Sequence, residues 1–357
     1  SRASAVLDGL IDGWPEERPP HLEAARRQLI AELLRSLPDA TAEKLLLLVH
    51  KWGHLGSFAP EVAAATGRLQ ARLGDSAAPD AARFEAAQSL IRLADSSKTA
   101  TAIMAQVSLQ SPPSVAGGFL GALAASRAPA TAGVVIDSWK GLTASGRRAA
   151  VNTLLRRPEW SRALLDAVEA GRLDRTDVAG DQWNQLFQHP DARMASRARA
   201  LKQQGMPSGN ADLQKAIQRL LPVASRTGDA KRGEKLFETT CAVCHVVNGK
   251  GGRIGPDLTG IGLRPRQDIL VDILDPNRSV EANYRLWTAT TKGGETVAGR
   301  LESESATSIE ILDTTGMKHA IQRKDIAALE ASGQSIMPSG FEQLPAEDLA
   351  EIGRAHV

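Results

Sequence analysis

The stretch Gly233-Glu234-Lys235-Leu236-Phe237-Glu238-Thr239-Thr240-Cys241-Ala242-Val243-Cys244-His245 holds both cysteines of a chain of 357 residues, and a histidine follows the second one directly. A short helix is predicted from Ala230 to Thr239, with Asp229 able to cap it, leading into a loop rich in Cys and Gly. The run Leu221-Pro222-Val223-Ala224-Ser225-Arg226-Thr227-Gly228-Asp229 ends whatever precedes that helix, because Pro and Gly are stop signals. A domain boundary is expected there, separating residues 1–221 from 228–357.

On the two sides of this boundary the pattern differs. From Leu22 to Leu221 apolar residues recur three and four apart, as in Leu22, Ala25, Leu29, Leu33 and again in Trp183, Leu186, Phe187, the spacing of amphipathic helices. Breaks carry Pro, Gly, Asp or Ser, for example at Leu37-Pro38-Asp39, Ala94-Asp95-Ser96-Ser97 and Thr143-Ala144-Ser145-Gly146. Helix pairs recurring at roughly 40 residues resemble HEAT-like α-solenoid repeats, with an irregular helical bundle as the alternative. Trp14, Trp52, Trp139, Trp160 and Trp183 are expected as anchors between repeats. Beyond the boundary a helix is expected near Gln267 to Leu274, followed by strand signals at Tyr284 to Thr291, Thr296 to Leu301, Thr307 to Leu312 and Met317 to Ile321. These four predict a small antiparallel meander inserted at about 284–322, with helix returning at Lys324 to Ala331 and from Ala346 onward.

Composition narrows the function. The chain is 42% hydrophobic and 24% charged with a mean hydropathy of −0.21, a balance that excludes collagenous, disordered and membrane-embedded classes. Aromatics are few, with 6 Phe, 6 Trp and 1 Tyr, which favours a helical core built on Ala and Leu. Lys and Arg number 43 against 41 Asp and Glu, so there is no electrostatic footprint for nucleic acid. Thr99 to Ser126 lacks ionisable side chains but contains Gln106, Ser108, Gln110, Ser111, Pro112 and Pro113. It reads as two helices and a turn, and no transmembrane segment is expected.

The Cys-x-x-Cys-His spacing points to covalent haem attachment. Two thiols three positions apart on a turn reach two vinyl groups of one porphyrin, and the next imidazole then lies beneath the iron. Three other readings compete. A thioredoxin-type redox pair should sit beside a βαβ pattern, which is absent. A zinc site would need a fourth ligand from distant His319 or a carboxylate. A disulfide across two intervening residues would constrain almost no chain entropy.

With the flanking residues Gly249-Lys250-Gly251-Gly252 and Gly255-Pro256-Asp257-Leu258, this region resembles a class I cytochrome c. More narrowly, Asp272-Ile273-Leu274-Asp275-Pro276-Asn277, Tyr284, the strand insert and Ser335-Ile336-Met337-Pro338-Ser339-Gly340 resemble a haem-binding domain of planctomycete and verrucomicrobial proteins, over about residues 228 to 352. The resemblance implies one haem c held through Cys241 and Cys244, His245 as proximal iron ligand, the Pro256 carbonyl accepting from its Nδ1–H, and Met337 as distal ligand. Met317 and His319 are the alternatives for that last place. Met104, Met194 and Met206 are expected to fill gaps in the helical core. In such cytochromes Gly233 and Phe237 would pack against the C-terminal helix. Here Leu349 to Val357 offers no aromatic for that contact, and Gly353-Arg354-Ala355-His356-Val357 is a poor helix ending.

Two further motifs carry no chemistry. The Gly249 to Gly255 loop lacks the Gly-Lys-Ser/Thr of a phosphate loop and is expected to be a flexible path around the haem edge. His50 and His54 stand four apart, but Lys51 replaces the glutamate of a metalloprotease helix. The resemblance implies an electron-transfer module that takes electrons from a redox partner protein or an upstream dehydrogenase domain. Its relatives often carry a sugar-dehydrogenase-like β-propeller there, which this chain does not contain. The alternatives are a peroxidase-like haem enzyme and a haem-based sensor, in both of which Met337 leaves the iron. Thioether formation outside the cytoplasm implies the periplasm. No signal peptide opens the chain, so a processed or excised chain is expected.

Overall fold

The structure is a computed structural model that describes residues 2–15, 19–203, 211–226 and 228–352. Among these it contains sixteen α-helices, with a small antiparallel sheet near the C-terminus. The described residues fall into two compact units. One takes in those up to Ser108 and Ser114–Ser138, and the other takes in Leu109–Pro113 and those from Trp139 onward.

In the first unit short helices pack on their neighbours and break where the sequence indicates. The helix Ala59–Gly74 lies against Asp80–Ala94, burying Leu69, Leu73, Ala86, Ala87 and Leu90. Ser96 caps the helix Ser97–Met104 by accepting from the Thr99 amide. Across Thr99 to Ser126 the two expected helices are Ser97–Met104 and Pro113–Leu123. Rings of Trp14 and Trp52 meet edge to face at 5.2 Å. No helix among the described residues is long and apolar enough to cross a membrane.

The second unit joins the helices from Ala144 onward to the Cys-bearing region, so compactness divides the chain near residue 138 rather than at 221–228. The cause is visible in one apolar cluster. Ile217 and Leu220 from the helix Ala211–Leu220, together with Val223, pack with Leu270 and Leu274 from Arg266–Leu274 and with Leu349 from Ala346–Ile352. Splitting the chain at 221 would expose this cluster on both pieces. The helix Ala230–Thr240 packs against Ala346–Ile352, with Gly233, Phe237, Leu349 and Ile352 buried. Aliphatic side chains thus stand on the face where an aromatic was missed. Gly353–Val357 lie outside the described residues.

Among the described residues seven strands follow the helix Ala230–Thr240: β1 (Val246–Val247), β2 (Lys250–Gly251), β3 (Arg285–Thr291), β4 (Thr296–Glu304), β5 (Ser308–Leu312), β6 (Lys318–Gln322) and β7 (Ile326–Ser335). The last five form one antiparallel sheet in the order β6-β5-β4-β3-β7. Its core is Trp287, Ala289, Ile309, Ile311, Ile321, Ile326 and Leu329.

The strand β7 corrects the expectation of helix at Lys324 to Ala331, and the insert runs to 335 instead of 322. The spacing of Ile326 and Leu329 misled because it suits a helix. In the structure a register shift lets Thr291 pair with Ile326 and Thr290 with Ala328. That extra residue puts Ile326 and Leu329 on the same buried face of a bulged strand. Burying each is worth roughly 2 kcal/mol, whereas the helix preference of Ala over β-formers is a few tenths of a kcal/mol per residue. Packing on β3 therefore wins.

Candidate functional site

The Cys-x-x-Cys-His turn is built by short-range bonds. Asp229 caps the helix Ala230–Thr240, its Oδ1 accepting from the Lys231 amide at 2.9 Å. At the other end the Cys241 amide donates to Phe237 O at 2.8 Å, and the His245 amide to Cys241 O at 2.9 Å. The chain then reverses in a tight hairpin of β1 and β2 through Asn248 and Gly249, both at positive φ. Asn-Gly is the residue pair such a two-residue turn demands. The segment expected to be a flexible path is therefore an ordered one. Its signal was present in the sequence as Asn248-Gly249.

Two glycines let this loop close on the motif. A Cβ on Gly252 would lie 1.9 Å from Val243 O, and one on Gly255 would lie 2.6 Å from His245 Cε1. The Gly252 and Gly255 amides donate to Ala242 O at 2.7 Å and Cys244 O at 2.8 Å. Residues 252–255 thus form a cradle that holds the turn from below and presses on the imidazole.

His245 is buried, and its Nδ1 lies 2.9 Å from Pro256 O. A carbonyl only accepts, so Nδ1 carries the proton and donates, and Nε2 keeps its lone pair for a ligand. Burial lowers the His245 pKa, opposed by the bond to Pro256. The neutral, ligating form is thereby favoured. Cys241 and Cys244 form no disulfide with one another. Burial, with Cys244 adding to it, pushes the Cys241 thiol up to about 11, and burial raises Cys244 as well. Protonated thiols are poor redox nucleophiles, which disfavours the thioredoxin-type reading. Among the described residues no three His, Cys, Asp or Glu side chains gather as a metal ion would need.

Cys241, Cys244, His245, Pro256 and Met337 all line one cavity of about 270 Å³. Its walls add Ile254, Gly255, Val280, Tyr284, Ile336 and Phe341, and its charged members include Arg264, Asp272 and Glu281. Arg264 Nη2 is paired with Asp272 at 2.8 Å. The loop bearing Met337 is held by bonds from the Ile336 amide to Tyr284 O at 2.9 Å and from the Ser335 amide to Asn277 Oδ1 at 2.8 Å. Met317 is 61% exposed and does not line the cavity. His319 also lies off it, with Nε2 2.7 Å from Asp313 Oδ2. Met104 and Met194 are core residues, and Met206 lies outside the described residues. Two thiols, an imidazole with a free Nε2, a thioether and a mostly apolar wall are a donor set that fits a covalently held haem.

Sequence reasoning missed a buried polar cluster behind this wall. Asp177, Arg147 and Arg285 are each buried. Arg147 Nη1 donates to Asp177 Oδ1 at 3.0 Å, Arg285 Nη1 donates to the same oxygen, and Trp139 Nε1 donates to Asp177 Oδ2 at 2.9 Å. Asp177 lies 30 residues from Arg147, 38 from Trp139 and 108 from Arg285, so no local pattern announces the cluster.

Comparison with known proteins agrees with this chemistry. Residues 230–331 match the family model described as Cytochrome c. Cytochrome c of Arabidopsis thaliana is 53% identical over 38 residues, covering 10% of this chain and 34% of that protein. Cytochrome c of Guizotia abyssinica is 57% identical over 35 residues, covering 10% and 32%. The Rhodobacter capsulatus protein "Cytochrome c-type cyt cy" is 50% identical over 38 residues, covering 11% and 19%. The chain spans between about a fifth and about a third of the length of these relatives. A cytochrome c domain at residues 230–331 is supported, and such a domain implies covalently attached haem c, with Cys241 and Cys244 as the attaching pair.

Proposed function

We propose that this chain is a single-electron carrier whose haem c is ligated by His245 below and Met337 above, serving a periplasmic dehydrogenase. Held by His245 and Met337, the group would supply one-electron redox chemistry with no place left for a substrate, which suits electron transfer rather than substrate binding. The residues do the rest. Cys241 and Cys244 fix the group to the end of the helix Ala230–Thr240. Pro256 O holds the Nδ1–H of His245, setting the tautomer and ring orientation and raising the basicity of Nε2. Ile254, Val280, Ile336 and Phe341 exclude water from the ligand faces, which disfavours the charged oxidised form relative to a wet site. Pro338 removes a backbone donor beside Met337 and stiffens its loop. The helices of residues 1–221 are HEAT-like; those from Ala144 onward belong to the carrier's own unit, and those before serve to dock its partner. The kinship is with the planctomycete and verrucomicrobial haem-binding domains, and the electron donor is a redox partner protein or a dehydrogenase domain upstream.

The observation that carries this reading is the common cavity lined by both thiols, His245 and Met337. Its test is the oxidised visible spectrum of haem-loaded protein. A methionine-to-iron charge-transfer band that disappears in Met337→Ala is expected. A high-spin native spectrum with rapid binding of cyanide or carbon monoxide would overturn it.

A further inference from the structure

One buried guanidinium ties the cavity wall to the helical part of the same unit. Arg285, 3% exposed, opens β3 directly after the cavity residue Tyr284. Its Nη1 donates to Asp177, its Nη2 lies 3.5 Å from Asp174 Oδ2, and its Nε donates to Ser332 O on β7. In the sheet Arg285 pairs with Ser335, the last residue of β7. The loop with Met337 leaves from that point, and its Ile336 amide returns to Tyr284 O. Arg285 therefore grips both strands that frame the loop, while its charge is neutralised from the turn Arg175–Asp177. Asp177 is the hub of that turn. Besides the two arginines it accepts from Trp139 Nε1 at 2.9 Å and from the Asp174 amide at 3.1 Å.

We infer that Asp177 is a positioning residue for Met337, acting through Arg285 to set β3 against β7 and so the place of the thioether in the cavity. This rests on the reading of Met337 as the distal ligand. A buried ion pair specifies one arrangement because loss of either partner leaves the other charged group without compensation. Without Asp177, Arg285 keeps only the longer pair with Asp174 at 3.5 Å and has to turn toward it or toward water, and its hold on Ser332 and Ser335 moves with it. The helical segment Trp139–Asp177 and the ligand loop are thus two ends of one coupled element.

The experiment compares haem-loaded, full-length Asp177→Asn, Asp177→Glu, Arg285→Lys and Arg323→Met with wild type. Arg323 is equally buried, pairs with Glu304 at 2.9 Å and sits in the turn Arg323–Asp325 between β6 and β7, at the opposite end of β7 from the ligand loop, so its loss reports general loosening. The readouts are the methionine-to-iron band, carbon monoxide association with reduced protein, and hydrogen exchange of the segment bearing Ile336 and Met337. Asp177→Asn is expected to weaken the band, to raise carbon monoxide association roughly tenfold and to speed exchange. Arg285→Lys does the same, Asp177→Glu restores part of each, and Arg323→Met leaves all three at wild-type values. Wild-type values in both Asp177→Asn and Arg285→Lys, or equal effects in Arg323→Met, overturn the inference. Should Asp177→Asn yield no folded holoprotein, Arg285→Lys decides by the same readouts. Faster exchange in a protein whose wild type shows no methionine band would sink the ligand reading while leaving the coupling in place.

Discussion

The Cys/His loop and the five-stranded sheet meet at one cavity, yet they are held together differently. Between Cys241 and Leu258 nearly every constraint is local. Cys244 bonds Cys241, Gly252 bonds Ala242, Gly255 bonds Cys244 and Leu258 bonds Val246, all through the backbone. Between Arg285 and Ser335 the hairpins β3-β4, β4-β5 and β5-β6 are local, but the constraints that place the end of β7 and tie the sheet to the helices are distant in sequence: β3 pairs with β7, Arg285 with Asp177, and Glu304 with Ser145. The first region places the thiols and the imidazole, and the second places Met337. The attachment chemistry is thus written in a short code, whereas the distal ligand depends on tertiary structure.

This contrast predicts different failures. The largest is expected in the loop. In Gly252→Ala the new methyl meets the backbone at Val243 O instead of a flexible side chain, so relief requires opening the turn itself. We expect a loss of roughly 4 kcal/mol or more, at the far end of single substitutions, with covalent haem incorporation abolished on a haem-stained gel. Normal loading of this variant would remove the cradle from the account.

On the sheet side the strongest expected effect is that of Glu304→Gln. Glu304 accepts from the Ser145 amide at 2.8 Å and from its hydroxyl at 3.0 Å, and it neutralises the buried Arg323. It joins the sheet to the N-terminal turn of the helix Ala144–Leu154, where a carboxylate is favoured. Leaving Arg323 without its counter-charge should destabilise by about 3 kcal/mol, measured by urea unfolding. Haem attachment through Cys241 and Cys244 should persist, since nothing in that loop touches Glu304.

The same division governs how far the sequence could be read. The helix Ala230–Thr240, its Asp229 cap, the Cys-x-x-Cys-His turn and four of the five sheet strands are legible because each follows from neighbours within a few residues. Strand β7 was not legible, because the bulge opposite Thr290 and Thr291 gives Ile326 and Leu329 a helical spacing. Packing on Trp287 and Ala289 decides the matter. The cavity walls were legible in part. His245 and Pro256 stand eleven apart in the chain and meet at 2.9 Å, and Ser335 to Pro338 arrive through β7. Asp177 and Arg147 left no trace, since charged residues on a helical pattern read as a solvated face until a partner from another element covers them.

A smaller effect separates the free and loaded states of the loop. In haem-free protein the Cys241 thiol is raised from the ordinary value of 9.0 to about 11, so the folded state keeps a proton that the unfolded chain releases. Stability from this group is full below pH 9 and is lost as pH rises toward 11. His245 is shifted down from 6.5, so the unfolded chain binds a proton that the folded state refuses. Stability from it is present above pH 6.5 and is lost as pH falls below that value. Urea midpoints against pH should therefore show both limbs in the haem-free protein. Thioether formation consumes the thiols, so the alkaline limb should vanish in the loaded protein. An alkaline limb of equal size in both states would contradict the attachment.

The smallest expected effect tests whether strain at one end of the Cys-bearing helix reaches the other. Asp229→Ala removes the acceptor for the Lys231 amide, a cap worth about 1 kcal/mol. The far end of the helix is fastened separately, by the Cys241 and Ala242 amides on Phe237 O and by the burial of Phe237 itself. Fraying at Ala230 should therefore stop before Cys241. The expected result is a drop of a few degrees in melting temperature, with the oxidised spectrum unchanged and Asp229→Asn close to wild type. A shift in the spectrum of Asp229→Ala would mean that the loop borrows its rigidity from the whole helix, and the local character assigned to it would have to be given up.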